Sequence, residues 1–177
     1  AVIMEVSPKG KILSRTEYET GIDRPHSQFR QLNKNKRGNY LIPLISTSEV
    51  REISPSGKLI NSFKVEGTPF TTLESTDGNY WIACGDGHAL IEANPNDGQI
   101  IRRYNENDIK GVRLFFTAGL CKSSDGNLYI CNWQGHSHDA NAANSPQLFE
   151  INQKGEVIWS LNDNQTFGMI SAVITIN

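Results

Sequence analysis

The stretch Asp77-Gly78-Asn79-Tyr80-Trp81-Ile82 decides the fold, because it recurs twice more along the chain. Its counterparts are Arg37-Gly38-Asn39-Tyr40-Leu41-Ile42 and Asp125-Gly126-Asn127-Leu128-Tyr129-Ile130. In each copy Gly-Asn supplies the positive backbone angles of a tight hairpin turn, and a strand follows it. The glycines stand at positions 38, 78 and 126, so the spacings are 40 and then 48 residues. Such an internal period indicates a repeat architecture.

A second signature, a strand, a turn and another strand, alternates with the first. It opens on Glu5-Val6-Ser7-Pro8-Lys9-Gly10-Lys11-Ile12 and returns at Glu52, Glu92 and Glu150. Together the two signatures make units of four short strands, whose length matches a propeller blade. The sequence therefore predicts an all-β fold, a β-propeller of four-stranded antiparallel blades. It has about four blades or is a partial ring of a larger propeller.

The chain is predicted to be one β-propeller domain, or part of one, over residues 1–177. Complete blades are expected near 27–66, 68–108 and 114–163, the first opening with a strand at 29–32. Partial blades flank them: two strands at the start, and one strand from Met169 to Ile176. No stretch has a sustained 3.6-residue apolar period, so no helix longer than about two turns is expected.

The open flanks of a partial ring need cover, because a single blade cannot bury both of its faces. Two arrangements satisfy this. Either the segments 2–14 and 169–176 join in one composite blade, or the open blade edges associate with another copy of the chain.

Composition narrows the classes of partner. The formal charge of -2 and the scattered 17 Lys and Arg provide no basic surface, so nucleic acid is not expected as a partner. No apolar run approaches the 18 or so residues of a spanning helix, so no membrane span is expected. The cysteines, Cys84, Cys121 and Cys131, lack CxxC spacing and are interpreted as buried apolar residues.

A glycine turn that leads to a tryptophan, Gly155-Glu156-Val157-Ile158-Trp159, is similar to the repeats of quinoprotein-like propellers. With the Gly-Asn units, it makes the chain resemble bacterial β-propeller repeat proteins of quinoprotein-like and NHL type, as a fragment of a larger propeller. The pattern is incomplete, since Asn61 and Arg102 stand where the other repeats would carry tryptophan. The resemblance implies a fold more than an activity, and favours an extracytoplasmic location.

Repetition separates structural from functional residues. The glutamates of the second signature occupy one position in every repeat, so they are interpreted as structural. The loops between second and third strands differ in each unit, as do the segments leading into each unit. Both sets open on one face of a propeller, where binding residues tend to lie. Candidate ligand-binding residues on this face are His26, Gln28, Arg30, Asp86, His88, Arg113, Asn132, Trp133, His136 and His138.

The third unit carries an insertion of about nine residues that contains a His-x-His-Asp cluster, His136 to Asp139. Imidazole and carboxylate groups are metal ligands, but a site would need one or two more from elsewhere, such as Asp86 or His88. No metal residue is therefore assigned. No catalytic residue is assigned either, because neither a GxSxG nor an HExxH motif is present.

Two functions remain open. The first is a non-catalytic binding or scaffolding propeller, whose central funnel face holds a small polar ligand, a glycan or a peptide. The alternative is a propeller enzyme, a hydrolase, lyase or quinone-dependent oxidoreductase, that uses His and Asp residues of the funnel. No cofactor can be named from the sequence.

Overall fold

The computed structural model describes residues 1–139 and 141–175. These residues form fourteen strands, in one two-stranded and three four-stranded antiparallel sheets. The longest helix among them is α1 (Asn164–Phe167), a single turn. The predicted all-β fold of four-stranded blades is therefore confirmed. No helix in this described part has the length and apolar character to cross a bilayer.

The strands follow the chain in simple order. The N-terminal hairpin consists of β1 (Val2–Val6) and β2 (Ile12–Glu17). Blade I contains β3 (Asn33–Lys34), β4 (Tyr40–Leu44), β5 (Glu49–Ile53) and β6 (Leu59–Lys64). Blade II contains β7 (Thr71–Glu74), β8 (Tyr80–Ala83), β9 (Leu90–Ala93) and β10 (Ile100–Tyr104). Blade III contains β11 (Thr117–Lys122), β12 (Leu128–Asn132), β13 (Leu148–Ile151) and β14 (Val157–Leu161).

The blades are arranged radially. Within each blade successive strands pair, and the first strands of neighbouring blades are in contact, β3 with β7 and β7 with β11. Strand β8 illustrates why alternation suits this packing. Tyr80 and Ile82 pack against blade I, whereas Trp81 and Ala83 pack against blade III. The ring is not closed, since within the described residues the N-terminal hairpin pairs with no other sheet.

The first strand of blade I differs from the prediction. It lies at Asn33–Lys34 and has two residues, not at 29–32. A 3₁₀ turn at Pro25–Ser27 precedes it, and the Gln28 side chain donates a hydrogen bond of 2.7 Å to the Ile22 carbonyl. These contacts hold the preceding segment as an irregular loop, so regular pairing begins later.

The segment after α1 also differs from the prediction. Residues 169–175 form no strand and pair with neither β1 nor β2; Ile176 lies outside the described residues. The segment instead runs beside β11, where the Thr175 amide donates to Cys121 Sγ at 3.3 Å. The Ser171 carbonyl accepts a hydrogen bond of 2.9 Å from Gln31. The composite blade is thus not formed by the described residues.

The repeated glutamates connect the turns to the sheets, as their structural interpretation expects. In each complete blade the asparagine of the Gly-Asn turn donates to the glutamate of the third strand. The distances are 2.6 Å for Asn39 to Glu52, 3.3 Å for Asn79 to Glu92 and 2.9 Å for Asn127 to Glu150. These side chains therefore maintain the blade itself.

Glu52 has the richest set of partners. It also accepts from Asn35 at 2.8 Å, from Arg37 at 3.0 Å and, across the blade interface, from the Tyr80 hydroxyl at 2.9 Å. Burial alone would raise the pKa of Glu52, but hydrogen bonds from Asn39, Asn35 and Tyr80 lower it below the usual value for a glutamate. Burial also raises the pKa of Tyr80 to about 12.

We expect Glu52 to make the stability depend on pH. Because its pKa is lower in the folded than in the unfolded chain, its contribution is present above the ordinary glutamate pKa of about 4.3 and is lost as pH falls. Glu52→Gln should lower the free energy of unfolding by about 2 kcal/mol at pH 7. Denaturant unfolding measured from pH 7 to pH 3 should show this difference shrink. The exposed Glu19→Gln is the control, and a pH-independent difference would contradict the assignment.

Gly98 tests the contact between blades I and II. It has φ +75°, and an added Cβ would lie 2.6 Å from Cδ2 of the buried Phe63. Gly10 has nearly the same φ, +79°, with nothing within 4 Å of an added Cβ. Gly10→Ala should therefore cost only the backbone strain, about 1 kcal/mol. Gly98→Ala should cost about 1–3 kcal/mol more from overpacking in the same unfolding assay, and equal losses would contradict a tight interface.

Candidate functional site

A cavity of about 590 Å³ lies where loops of all three blades meet. Its walls come from both sets of variable loops, from the start of β11 and from the segment after α1. The lining residues are His26, Ser27, Arg30, Ile45, Ser46, Thr68, Phe70, Gly85, Asp86, Phe116, Ala118, Trp133, His136 and Ser171. Five of the ten residues singled out in the sequence, His26, Arg30, Asp86, Trp133 and His136, are among them.

Aromatic rings form one wall of this cavity. Phe116 lies edge to face with Phe70, Trp133 and His136, at ring-centroid distances of 4.9, 5.3 and 5.3 Å. Trp133 and His136 are 4.8 Å apart. The backbone fixes this cluster, because the Trp133 amide donates to the Phe116 carbonyl at 2.9 Å. Such a wall offers apolar and π contacts to a flat ligand.

Glycine permits the close approach of loop and ring. Gly85 carries φ +51°, and a Cβ there would lie 3.0 Å from Cζ of Phe116. A larger residue would push the loop of blade II away from the aromatic wall. The glycine thus holds the neighbouring Asp86 at the cavity.

Asp86 and His136 connect blades II and III across the cavity. Asp86 Oδ1 lies 2.8 Å from His136 Nδ1, and both side chains are 58% exposed. An ionised carboxylate only accepts hydrogen bonds, so Nδ1 carries the proton and Nε2 remains available. This pair can orient an imidazole toward a ligand.

The loop into blade I adds a cation, Arg30, to the cavity wall. His26 and Arg30 are exposed on the loop into blade I, and their side chains contact each other. Within the described ranges Arg30 forms no ion pair with a carboxylate. Its guanidinium is therefore available to an acidic or hydroxylated ligand.

A smaller cavity of about 380 Å³ adjoins the first and shares Asp86, Phe116, Trp133 and His136 with it. Its other walls include His88 and Arg113. His88 has φ +48°, and its ring contacts the Phe115 carbonyl. The Arg113 guanidinium binds the carboxylates of Glu106, at 2.6 Å, and Asp139. Arg113 thus helps to hold the loops, because its guanidinium is already engaged in these two ion pairs.

Three sequence candidates lie elsewhere. Gln28 is held by the Ile22 carbonyl, as described above. Asn132 is fully buried and donates to the carbonyls of Arg113 and Pro146 while accepting from the Phe115 amide. His138 is exposed and lines neither cavity. The polar atoms of Gln28 and Asn132 thus hold the loops in place.

The His-x-His-Asp cluster does not converge on one point. His136 pairs with Asp86, whereas Asp139 binds Arg113. The Asn141 amide and the Arg113 guanidinium lower the pKa of Asp139 below its usual range. Over residues 1–139 and 141–175, no three His, Cys, Asp or Glu side chains gather as a set of metal ligands.

The buried thiols are protonated. Burial raises the pKa of Cys84 and of Cys131 to about 12 each. Thiols in that state are poor nucleophiles at neutral pH. Cys84 and Cys131 are therefore not candidates for a nucleophile at this face.

Sequence reasoning missed the residues that complete the wall. Phe70 and Phe116 each stand directly before the first strand of a blade, in the pairs Phe70-Thr71 and Phe116-Thr117. That recurrence was a detectable signal. Ser171 had none, because the segment after α1 was expected to be a strand and its course depends on tertiary packing.

Known structures share this fold. A protein of unknown function from Bacteroides caccae is 55% identical with a TM-score of 0.85, over 98% of this chain and 63% of its own. A catalytically inactive virginiamycin B lyase from Staphylococcus aureus, solved with quinupristin, is 15% identical with a TM-score of 0.56, over 88% and 47%. Glutaminyl cyclase from Myxococcus xanthus is 13% identical with a TM-score of 0.59, over 98% and 61%.

The two enzymes support the fold alone at these identities. The chain spans about 63% of the length of the Bacteroides caccae protein. No curated protein sequence matches it. The expected resemblance to β-propellers is confirmed, and its quinoprotein-like and NHL details remain predictions.

One family model covers most of the chain. The model described as Mal s 1 allergenic protein-like matches residues 3–156, a span that includes the N-terminal hairpin, blades I and II and the first three strands of blade III. The chain therefore belongs to the Mal s 1 allergenic protein-like family.

Proposed function

We propose that this protein is a binding propeller that holds a small polar ligand, a glycan unit or a peptide side chain on its funnel face. The observation that carries the proposal is the 590 Å³ cavity, around which loops of three blades gather aromatic, cationic and paired acid-imidazole groups. Its size suits a small molecule, and its mixture of an apolar wall with a few polar groups is typical of ligand sites.

The groups divide the work by their chemistry. The Phe70, Phe116 and Trp133 rings give the ligand an apolar surface, on which the C–H face of a sugar or a planar group can stack. Arg30 attracts negative charge or hydroxyl oxygens, and the His26 ring lies beside it. Asp86 accepts and His136 donates or accepts hydrogen bonds. A ligand with one flat apolar face and several polar edges fits this arrangement best.

His88, Arg113 and Asn132 belong to the proposal in a lesser role. Arg113 is already bound to two carboxylates, and Asn132 to backbone groups. We therefore assign them to the support of the loops that carry Asp86, Trp133 and His136. His88 edges the smaller cavity, where an extended ligand would reach it.

A specific observation favours a second candidate, a propeller enzyme. His136 lines the cavity while its Nδ1 is held by Asp86 at 2.8 Å, which is how a carboxylate orients an imidazole for acid-base catalysis. Recovery of a chemically altered ligand, lost in both His136→Ala and Asp86→Ala, would favour the enzyme. Recovery of unaltered ligand would favour the binding protein.

The binding proposal predicts which tryptophan matters. Monosaccharides, short peptides and small organic anions are titrated by calorimetry until one binds. Trp133→Ala should then weaken that ligand by at least about 1 kcal/mol, or roughly fivefold, because the aromatic wall loses its largest ring. Trp159→Ala is the matched control, since Trp159 lies exposed on β14 away from the cavity.

Two histidines of one loop sharpen the same test. His136→Ala should weaken the ligand, whereas His138→Ala, two residues away and outside the cavity, should leave the affinity unchanged. Equal affinities in all four variants would contradict the proposal. So would finding the ligand used in these titrations bound among the hairpin turns at Gly10, Gly57 and Gly98, on the opposite face, instead of in the funnel.

A further inference from the structure

The three blade interfaces are built alike, with one exception. At the first, the Tyr40 hydroxyl donates to Glu5 of the N-terminal hairpin at 2.5 Å. At the second, the Tyr80 hydroxyl donates to Glu52 at 2.9 Å. At the third interface, between blades II and III, Leu128 stands at the tyrosine position. Leucine has no hydroxyl, so Glu92 receives no such hydrogen bond from blade III.

A cavity lies at this exceptional interface. It has a volume of about 270 Å³, and its walls include Ser75, Asp77, Trp81, Glu92, Arg102 and Gln153. Ser75, Asp77 and Glu92 occupy the same repeat positions as Asn35, Arg37 and Glu52, which surround the Tyr80 hydroxyl. The cavity thus borders the carboxylate whose counterpart at the second interface, Glu52, accepts the tyrosine hydroxyl.

Glu92 is poorly supplied with donors. It is only 5% exposed, yet its contacts are a hydrogen bond of 3.3 Å from Asn79 and an ion pair of 3.6 Å with Arg102. Arg102 is engaged elsewhere, because it donates to the Gln153 carbonyl at 2.7 Å and lies over the Trp81 ring. A buried carboxylate with few donors is costly, so an entering hydroxyl would be stabilised there.

The remaining walls suit a ring. Trp81 lines the cavity and packs in one apolar cluster with Leu128. The volume of the cavity, about 270 Å³, exceeds the roughly 150 Å³ of an engineered protein cavity that holds benzene. We propose that this cavity is a binding site for a small single-ring phenol, whose hydroxyl donates to Glu92 and whose ring contacts Trp81. The site lies among the hairpin turns, on the face opposite the funnel, and is independent of the proposed function.

The test uses phenol and anisole, which has the same ring but no hydroxyl to donate. We expect phenol to bind the wild-type chain in calorimetric titration at least about tenfold more tightly than anisole, since a hydrogen bond to a charged group is lost. Leu128→Tyr should abolish phenol binding, because the new hydroxyl donates to Glu92 in place of phenol, as Tyr80 donates to Glu52. It should also raise the melting temperature, whereas Trp133→Ala at the funnel should leave phenol binding unchanged.

A second variant decides the matter if Leu128→Tyr does not fold. Glu92→Gln keeps the shape but loses the charge, and it should reduce the preference for phenol over anisole to about threefold or less. The proposal is overturned if phenol and anisole bind equally, if Glu92→Gln keeps the full preference, or if a folded Leu128→Tyr still binds phenol. It is also overturned if phenol does not bind the wild-type chain.

Discussion

A buried carboxylate that takes hydrogen bonds from its own turn is the constraint on which the propeller depends. Only 3% of Glu52 is exposed. Its buried charge is therefore tolerable only because hydrogen-bond donors surround the carboxylate. Asn35 and Asn39 supply them from the Gly-Asn turn, and Tyr80 supplies another from the next blade. One side chain thus fixes the turn, the register of the third strand and the distance between two blades.

This division of labour explains why one face is regular and the other is not. The glutamates and Gly-Asn turns occupy the same end of every blade, where each turn must match the next blade. At the other end the described residues share no such repeated network, and loops of different length and composition are tolerated. The insertion in blade III exploits that tolerance, and through it His136 reaches Asp86 of blade II. The regular face with the hairpin turns therefore holds the blades together while the loops of the funnel face vary.

The fold could be predicted from the sequence because its cause is local and repeated. A Gly-Asn turn and an alternating strand recur with each blade, so the same evidence appears several times. The predictions for β3 and for residues 169–175 were wrong for the opposite reason. Single contacts, such as Gln28 to Ile22 and Thr175 to Cys121, decide the course of these segments. The candidate residues were predicted because they do not repeat from blade to blade. That criterion identifies variable loops, but it does not distinguish a residue that lines a cavity from one that holds a loop in place, such as Asn132.

The same logic applies inside the regular part of the structure. A repeat that is structural everywhere should be kept everywhere, so the replacement of tyrosine by Leu128 removes support that the other two interfaces retain. The interface compensates in part, since Trp81 stacks with Tyr104 and carries Arg102 above it. Apolar packing can replace the lost area, but it cannot supply a hydrogen-bond donor to Glu92. The Glu92 carboxylate is left with one hydrogen bond of 3.3 Å and one ion pair of 3.6 Å, so a cavity beside it gains affinity for a donor from outside.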